Sequence, residues 1–261
     1  MTRFLLAILL TLFAPAVASA GQTIAVSAAI SLKPALAEIA ADYEAKTGDR
    51  VQLHFGSSGQ LAAQVKEGAP VDAFVSAADR QVEDLVDAKL ADAATRTVVA
   101  GNALVLIVPA DATDPPASLS QLADKKVGRV AIGQPRTVPA GEYAAQALAA
   151  LKLDARLSDR LVYGSNVRQV LDYVQRGEVD AGLVYRTDVT AAGEKVKVVA
   201  DVEPALHAPI VYPAVVVSAS KKQAAAKRFL QHLRSPEAQA VFAAKGFAPP
   251  PDAATTTARQ D

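Results

Sequence analysis

The feature that most constrains this chain is a repeated alternation of short β-rich runs with helical runs, each change of period marked by small, hydroxyl-bearing or turn-forming residues. Such alternation builds sheets flanked by helices, an α/β fold. Strands are expected at residues 23–27, 51–55, 71–76, 103–109, 127–132, 161–163, 181–185 and 210–218, the last apolar enough to be buried on both faces. The first helix opens at Ser31, a candidate N-cap, tolerates Pro34 in its first turn, lines up Leu32, Leu36, Ile39, Ala40 and Tyr43 on one face, and is closed by Gly48. Further helices are expected over 60–67, 78–88, 140–151, 167–175, 221–233 and 236–244, the last started by Ser235 and Pro236. A turn-rich stretch at 111–120 separates two α/β series, and Val71-Asp72-Ala73 and Val179-Asp180-Ala181 echo each other where an apolar strand begins. Aspartates in that position serve as turn or cap groups.

Within this pattern, His54-Phe55-Gly56-Ser57-Ser58-Gly59-Gln60-Leu61-Ala62 stands out. An apolar run breaks into glycine and serine, then resumes with helical spacing: a strand, a tight loop and a helix N-terminus. Gly56 and Gly59 permit a sharp turn or the close approach of another group, and Ser57 or Ser58 can cap the helix. The first-turn N–H groups have no acceptor within the helix and face outward, so such a corner attracts anions. Similar corners occur at Ser31, Ala140 and Val167, each at or beside a helix N-terminus that follows a strand, which is where ligands of open α/β sheets collect.

Residues 1–20 read as an address. Arg3 supplies the positive region, Phe4 to Phe13 the apolar region, and Ala18-Ser19-Ala20 the small-residue cleavage site, which predicts export with Gly21 first in the mature chain. The apolar run is too short for a membrane span, and with zero cysteines there is none to acylate as a lipoprotein anchor. About 240 residues remain, enough for two modest lobes with cores of their own. The formal net charge of +0 leaves no basic stripe to attract nucleic acid or an acidic membrane surface. Three scattered histidines, His54, His207 and His232, without cysteine, argue against a zinc or redox centre.

Five motifs, taken together, carry a family resemblance. They are Ala28-Ala29-Ile30-Ser31-Leu32, Phe55-Gly56-Ser57-Ser58-Gly59-Gln60-Leu61-Ala62, Gly68-Ala69-Pro70-Val71-Asp72, Val138-Pro139-Ala140-Gly141-Glu142-Tyr143-Ala144 and Gly182-Leu183-Val184-Tyr185. In order and spacing the chain resembles the periplasmic molybdate-binding proteins of bacterial ABC importers, from about Thr23 to Phe247. The resemblance implies a two-lobed periplasmic binding protein of the second structural class, each lobe a mixed β-sheet flanked by helices, with the ligand in the interlobe cleft. Lobe I would comprise 21–101 and 206–248, lobe II 102–205, and 249–261 would be a disordered tail.

Carried over by position, Ser31 and Ser58 would each offer a hydroxyl and a backbone N–H, Ala140 and Val167 a backbone N–H, and Tyr185 its phenolic O–H. All are donors. A tetrahedral dianion without a proton can only accept, whereas hydrogen phosphate keeps a proton that needs an acceptor. At about 1.5–3 kcal/mol per hydrogen bond to a charged group, seven such donors contribute roughly 10–20 kcal/mol gross, against roughly 8–12 net for micromolar to nanomolar binding.

The implied ligand is molybdate, and tungstate of like shape and charge, held through oxygen with no direct ligation of the metal. The implied partners are an inner-membrane permease and its cytoplasmic ATPase, served by a monomer in the periplasm, with no cofactor, no nucleic acid and no catalysis. Arg136 and Arg186 stand close to the matched motifs, and Arg136 is expected to be solvated at the cleft mouth. The alternatives are another tetrahedral oxyanion such as sulfate on the same scaffold and, from a different class, a periplasmic serine hydrolase. The latter is disfavoured because Gly-Ser-Ser-Gly-Gln lacks the spacing of a nucleophile elbow, and His54 cannot be assumed to face either serine.

Overall fold

The computed structural model describes residues 21–251. The leader read over 1–20 lies outside the described residues, as does the tail beyond 251. Along the chain run β1 (Thr23–Ala29), α1 (Lys33–Thr47), β2 (Arg50–Gly56), α2 (Ser58–Lys66), β3 (Ala73–Val75), α3 (Asp79–Asp87), β4 (Ala91–Gly101), β5 (Leu104–Pro109), β6 (Val130–Gly133), α4 (Pro139–Ala150), α5 (Asp154–Leu157), β7 (Leu161–Gly164), α6 (Val167–Gln175), β8 (Ala181–Tyr185), α7 (Arg186–Ala192), β9 (Val196–Asp201), β10 (Val211–Val217), α8 (Gln223–His232) and α9 (Pro236–Ala244).

The strands form two five-stranded sheets, ordered β2-β1-β3-β10-β4 and β7-β6-β8-β5-β9. Each is mixed in the same way: three parallel strands, then one strand antiparallel to both of its neighbours, β10 in the first sheet and β5 in the second. The chain passes from the first sheet to the second between Gly101 and Leu104 and returns between Asp201 and Val211. The second series therefore begins at β5, before the turn-rich stretch at 111–120.

The echoed Val-Asp-Ala segments lead into β3 and β8, which hold the same place in the two sheets. Asp72 accepts hydrogen bonds from the Ala25 N–H and the Ser220 hydroxyl, at 2.8 and 2.6 Å. Asp180 accepts from the N–H groups of Gly128 and Arg129, at 2.9 and 2.7 Å. Each carboxylate thus ties the start of its strand to the start of the neighbouring parallel strand.

Helix α1 buries Leu36, Ile39, Ala40 and Tyr43 and stops at Gly48, whose φ of 75° is the left-handed conformation a residue without Cβ adopts freely. At the other end of the chain, Ser235 caps α9 by accepting from the Ala238 N–H. β10 is buried along its whole length, as its apolar sequence predicts. Pro213 interrupts it without breaking the sheet, because the ladder to β4 shifts register between Tyr212 and Pro213, where a missing N–H is tolerated.

Candidate functional site

Ser31, Ser58, Ala140, Val167 and Tyr185 all line one cavity between the two sheets. Ser31 lies in the single 3-10 turn between β1 and α1, Ser58 is the first residue of α2 after β2, and Ala140 is the second of α4 after β6. Val167 opens α6 after β7, and Tyr185 is the last residue of β8. Every contributor therefore stands at the C-terminal end of a strand. The space is small, about 200 Å³ of non-atom volume including its opening, below the roughly 300–1,000 Å³ typical of sites for drug-sized organic ligands. None of the lining residues is a lysine or an arginine.

The hydroxyls are not caps, contrary to the sequence expectation. Ser57 holds the N-cap position of α2 but makes no capping bond, and its Oγ is buried without a partner. The Ser58 hydroxyl oxygen accepts from the Ala77 N–H at 3.0 Å. Ser31 precedes α1 without capping it, and its Oγ lies 3.1 Å from Tyr212 Oη. In both cases a buried hydroxyl is drawn to a partner distant in sequence, which local pattern does not reveal. Asn166, unlike them, caps α6 by accepting from the Gln169 N–H, leaving the Val167 N–H at the mouth of the helix. Tyr185 Oη is buried without a partner, and burial pushes its ionisation well above the usual tyrosine range, so it remains a donor.

Three contacts hold the two sides together around this space. The Gly59 N–H donates to the Thr137 carbonyl at 2.9 Å, and Tyr143 Oη donates to the Ala77 carbonyl at 3.3 Å. Arg80 on α3 grips both carboxylate oxygens of Glu142 on α4 at 2.8–3.1 Å and donates to the Arg136 carbonyl at 3.4 Å. Arg136 itself is exposed, and Arg186 is paired with Asp201, so neither lines the cavity. Arg80, Glu142, Asn102 and Tyr212 had escaped the sequence reading. Tyr212 alone carried a signal there, since a tyrosine in a strand buried on both faces must find a partner for its hydroxyl.

Asp188, in the first turn of α7, is completely buried and neither oxygen accepts a hydrogen bond of ordinary geometry. Desolvation pushes its carboxyl up to about 6, with Arg168 at 3.4 Å offsetting part of the cost. The folded protein holds this proton more tightly than the unfolded chain. Its contribution to stability is therefore greatest below the ordinary carboxylate range and is lost as pH rises through about 6. Asp188→Asn is expected to raise the melting temperature at pH 7, by up to about 3 kcal/mol of stability, and to leave it nearly unchanged at pH 4. Equal shifts at the two pH values would show that the ionised carboxylate is not the source of the cost.

The serine-hydrolase geometry is not assembled. Among the described residues no histidine is hydrogen-bonded to Ser57 or Ser58, and His54 is exposed on β2 while both serines are buried.

Comparison with known proteins agrees with this architecture. The sequence profile of the bacterial extracellular solute-binding proteins matches residues 24–248. YvgL of Bacillus subtilis, provisionally named an ABC transporter substrate-binding lipoprotein, is 41% identical over 226 residues, covering 86% of each chain. The molybdate-binding protein ModA of Haemophilus influenzae is 37% identical over 233 residues, covering 88% of this chain and 91% of its own. The solved structure of the Azotobacter vinelandii periplasmic molybdate-binding protein matches with a TM-score of 0.76 at 27% identity, over 87% of this chain and 100% of that one. Two mixed sheets with the same pattern of parallel and antiparallel neighbours, a cavity between them, and a match to the family profile and to relatives along nearly the whole described length place this chain in the bacterial extracellular solute-binding protein family.

Proposed function

We propose that the protein captures molybdate, and tungstate as well, in the cavity between its lobes and delivers it to an ABC importer. The observation that carries this reading is that neutral donor residues from both sides line one space below the size typical of sites for drug-sized organic ligands. Ser31 and Ser58 come from the lobe formed by 21–101 and 206–248, and Ala140, Val167 and Tyr185 from the lobe formed by 102–205. An anion bridging both lobes favours the closed arrangement over the open one, because only there does it meet all its donors. With no cation in the lining, binding rests on charge-assisted hydrogen bonds and on the positive ends of α2, α4 and α6. The leader-like residues 1–20 support export to the periplasm, where the protein would act as a monomer serving an inner-membrane permease and its ATPase.

Titration calorimetry of the chain from Gly21 onward with molybdate, tungstate, sulfate and phosphate in one buffer tests this directly. Tight binding of the first two alone is the expected result. Equal or tighter binding of sulfate would keep the scaffold and overturn the choice of ligand.

A further inference from the structure

The segment that crosses between the sheets carries a hydrogen-bond relay whose direction is readable. Asn102 Oδ1 accepts from the Ala103 N–H at 2.9 Å, which sets the amide orientation and makes Nδ2 the donor side. Nδ2 donates to Tyr212 Oη on β10 and to Thr187 Oγ1 on α7, both at 2.9 Å, one bond to each side of the cleft. Tyr212 Oη, completely buried, accepts from an amide nitrogen that cannot accept in return, so its own proton needs another acceptor, and its other hydrogen-bonding neighbour is Ser31 Oγ at 3.1 Å. The phenol therefore donates to Ser31. Ser31 Oγ receives that bond and keeps its own proton for the cavity it lines. Ser58 is set the same way by a simpler device, since the Ala77 N–H occupies its acceptor side.

Resting on the oxyanion reading above, we propose that Asn102 and Tyr212 are positioning residues that keep the Ser31 proton free for the anion. A serine that had to donate to Tyr212 would turn only lone pairs toward the cavity, and an anion that can only accept would lose that bond. The relay gives the hydroxyl of Tyr212, the second residue of a fully buried strand, a partner on each side. Burial holds Tyr212 in its protonated, donating form.

The test reverses the relay. Asn102→Asp is nearly isosteric and replaces the donor by an acceptor, so Tyr212 turns to donate to it, Ser31 must donate to Tyr212, and a lone pair faces the anion. Molybdate binding is expected to fall by about a hundredfold in Asn102→Asp and to recover about tenfold in Asn102→Asp/Tyr212→Phe, where the reversed relay is cut although the added charge persists. Tyr212→Phe alone, which frees the Ser31 hydroxyl to turn its proton away from the cavity, is expected to weaken molybdate binding about fivefold.

A double variant no better than Asn102→Asp, or unchanged molybdate affinity in Tyr212→Phe, overturns the relay. Should Asn102→Asp fail to fold by circular dichroism, the molybdate affinity of Tyr212→Phe decides alone. Wild-type protein that binds neither molybdate nor tungstate nor sulfate overturns the oxyanion reading itself, and the relay with it, whereas wild-type binding without rescue overturns only the relay.

Discussion

Val167→Pro is expected to weaken molybdate binding by about ten- to a hundredfold while the ligand-free protein stays folded, because it deletes one backbone donor and little else. Val167 is the first residue of α6, where an N–H has no acceptor within the helix and proline's fixed φ is already suited to the helix. The residue before it, Asn166, is extended at φ −160° and ψ 168°, the region a following proline requires. Its capping bond to the Gln169 N–H does not involve residue 167 and should persist. The cost in stability is confined to the repacking of a buried valine, about 1 kcal/mol. Calorimetry with molybdate, together with melting curves of the ligand-free variant, separates the two effects. Unchanged affinity in a folded variant would remove α6 from the site.

Gly59→Ala is expected to move stability and affinity in opposite directions. Gly59 lies in the first turn of α2, and alanine there favours the helix by roughly 0.5–1 kcal/mol, so the ligand-free, open protein should melt slightly higher. Where the two sides of the cleft meet, however, a Cβ at this position would stand 2.6 Å from the Thr137 carbonyl oxygen and 2.7 Å from its Cα. These are backbone atoms of the opposite lobe and cannot swing aside as a side chain can. The substitution also threatens the 2.9 Å bond from the Gly59 N–H to the same carbonyl. Molybdate affinity is therefore expected to fall by at least about tenfold, since the anion must work against the overlap to close the lobes. Small-angle scattering with and without molybdate provides an independent check: the wild type should contract on binding and the variant should contract less. A variant that binds and contracts like the wild type would show that closure does not depend on this contact.

How much was legible beforehand depended on the range of the interactions involved. The boundaries of α6, β8 and α9 follow directly from local signals: Asn166 and Ser235 are caps, and the apolar runs match their periods. β4 and β9 do not follow from local signals because polar and charged residues dilute their apolar pattern, as in Asp92-Ala93-Ala94-Thr95-Arg96-Thr97, most of which is not buried. α5 and α7 are missed for another reason. They are four and seven residues long, too short to show a helical period, and α7 starts directly after β8 with no intervening turn.

The sequence by itself determined which residues stand where strands give way to helices, because glycine, serine, asparagine and proline act through the backbone within a turn or two of where they occur. Ser31, Ser58, Ala140, Val167 and Tyr185 could be named on that basis and on family resemblance. What only the tertiary structure decided is that these five positions, up to 154 residues apart from Ser31 to Tyr185, face one small space, and which way the hydroxyls at that space are turned. Ser31 is oriented by Tyr212, and Ser58 by Ala77, across separations of 181 and 19 residues. A hydroxyl donates or accepts according to whatever engages its other side, and that neighbour is fixed only when the sheets are assembled and the chain has crossed between them twice.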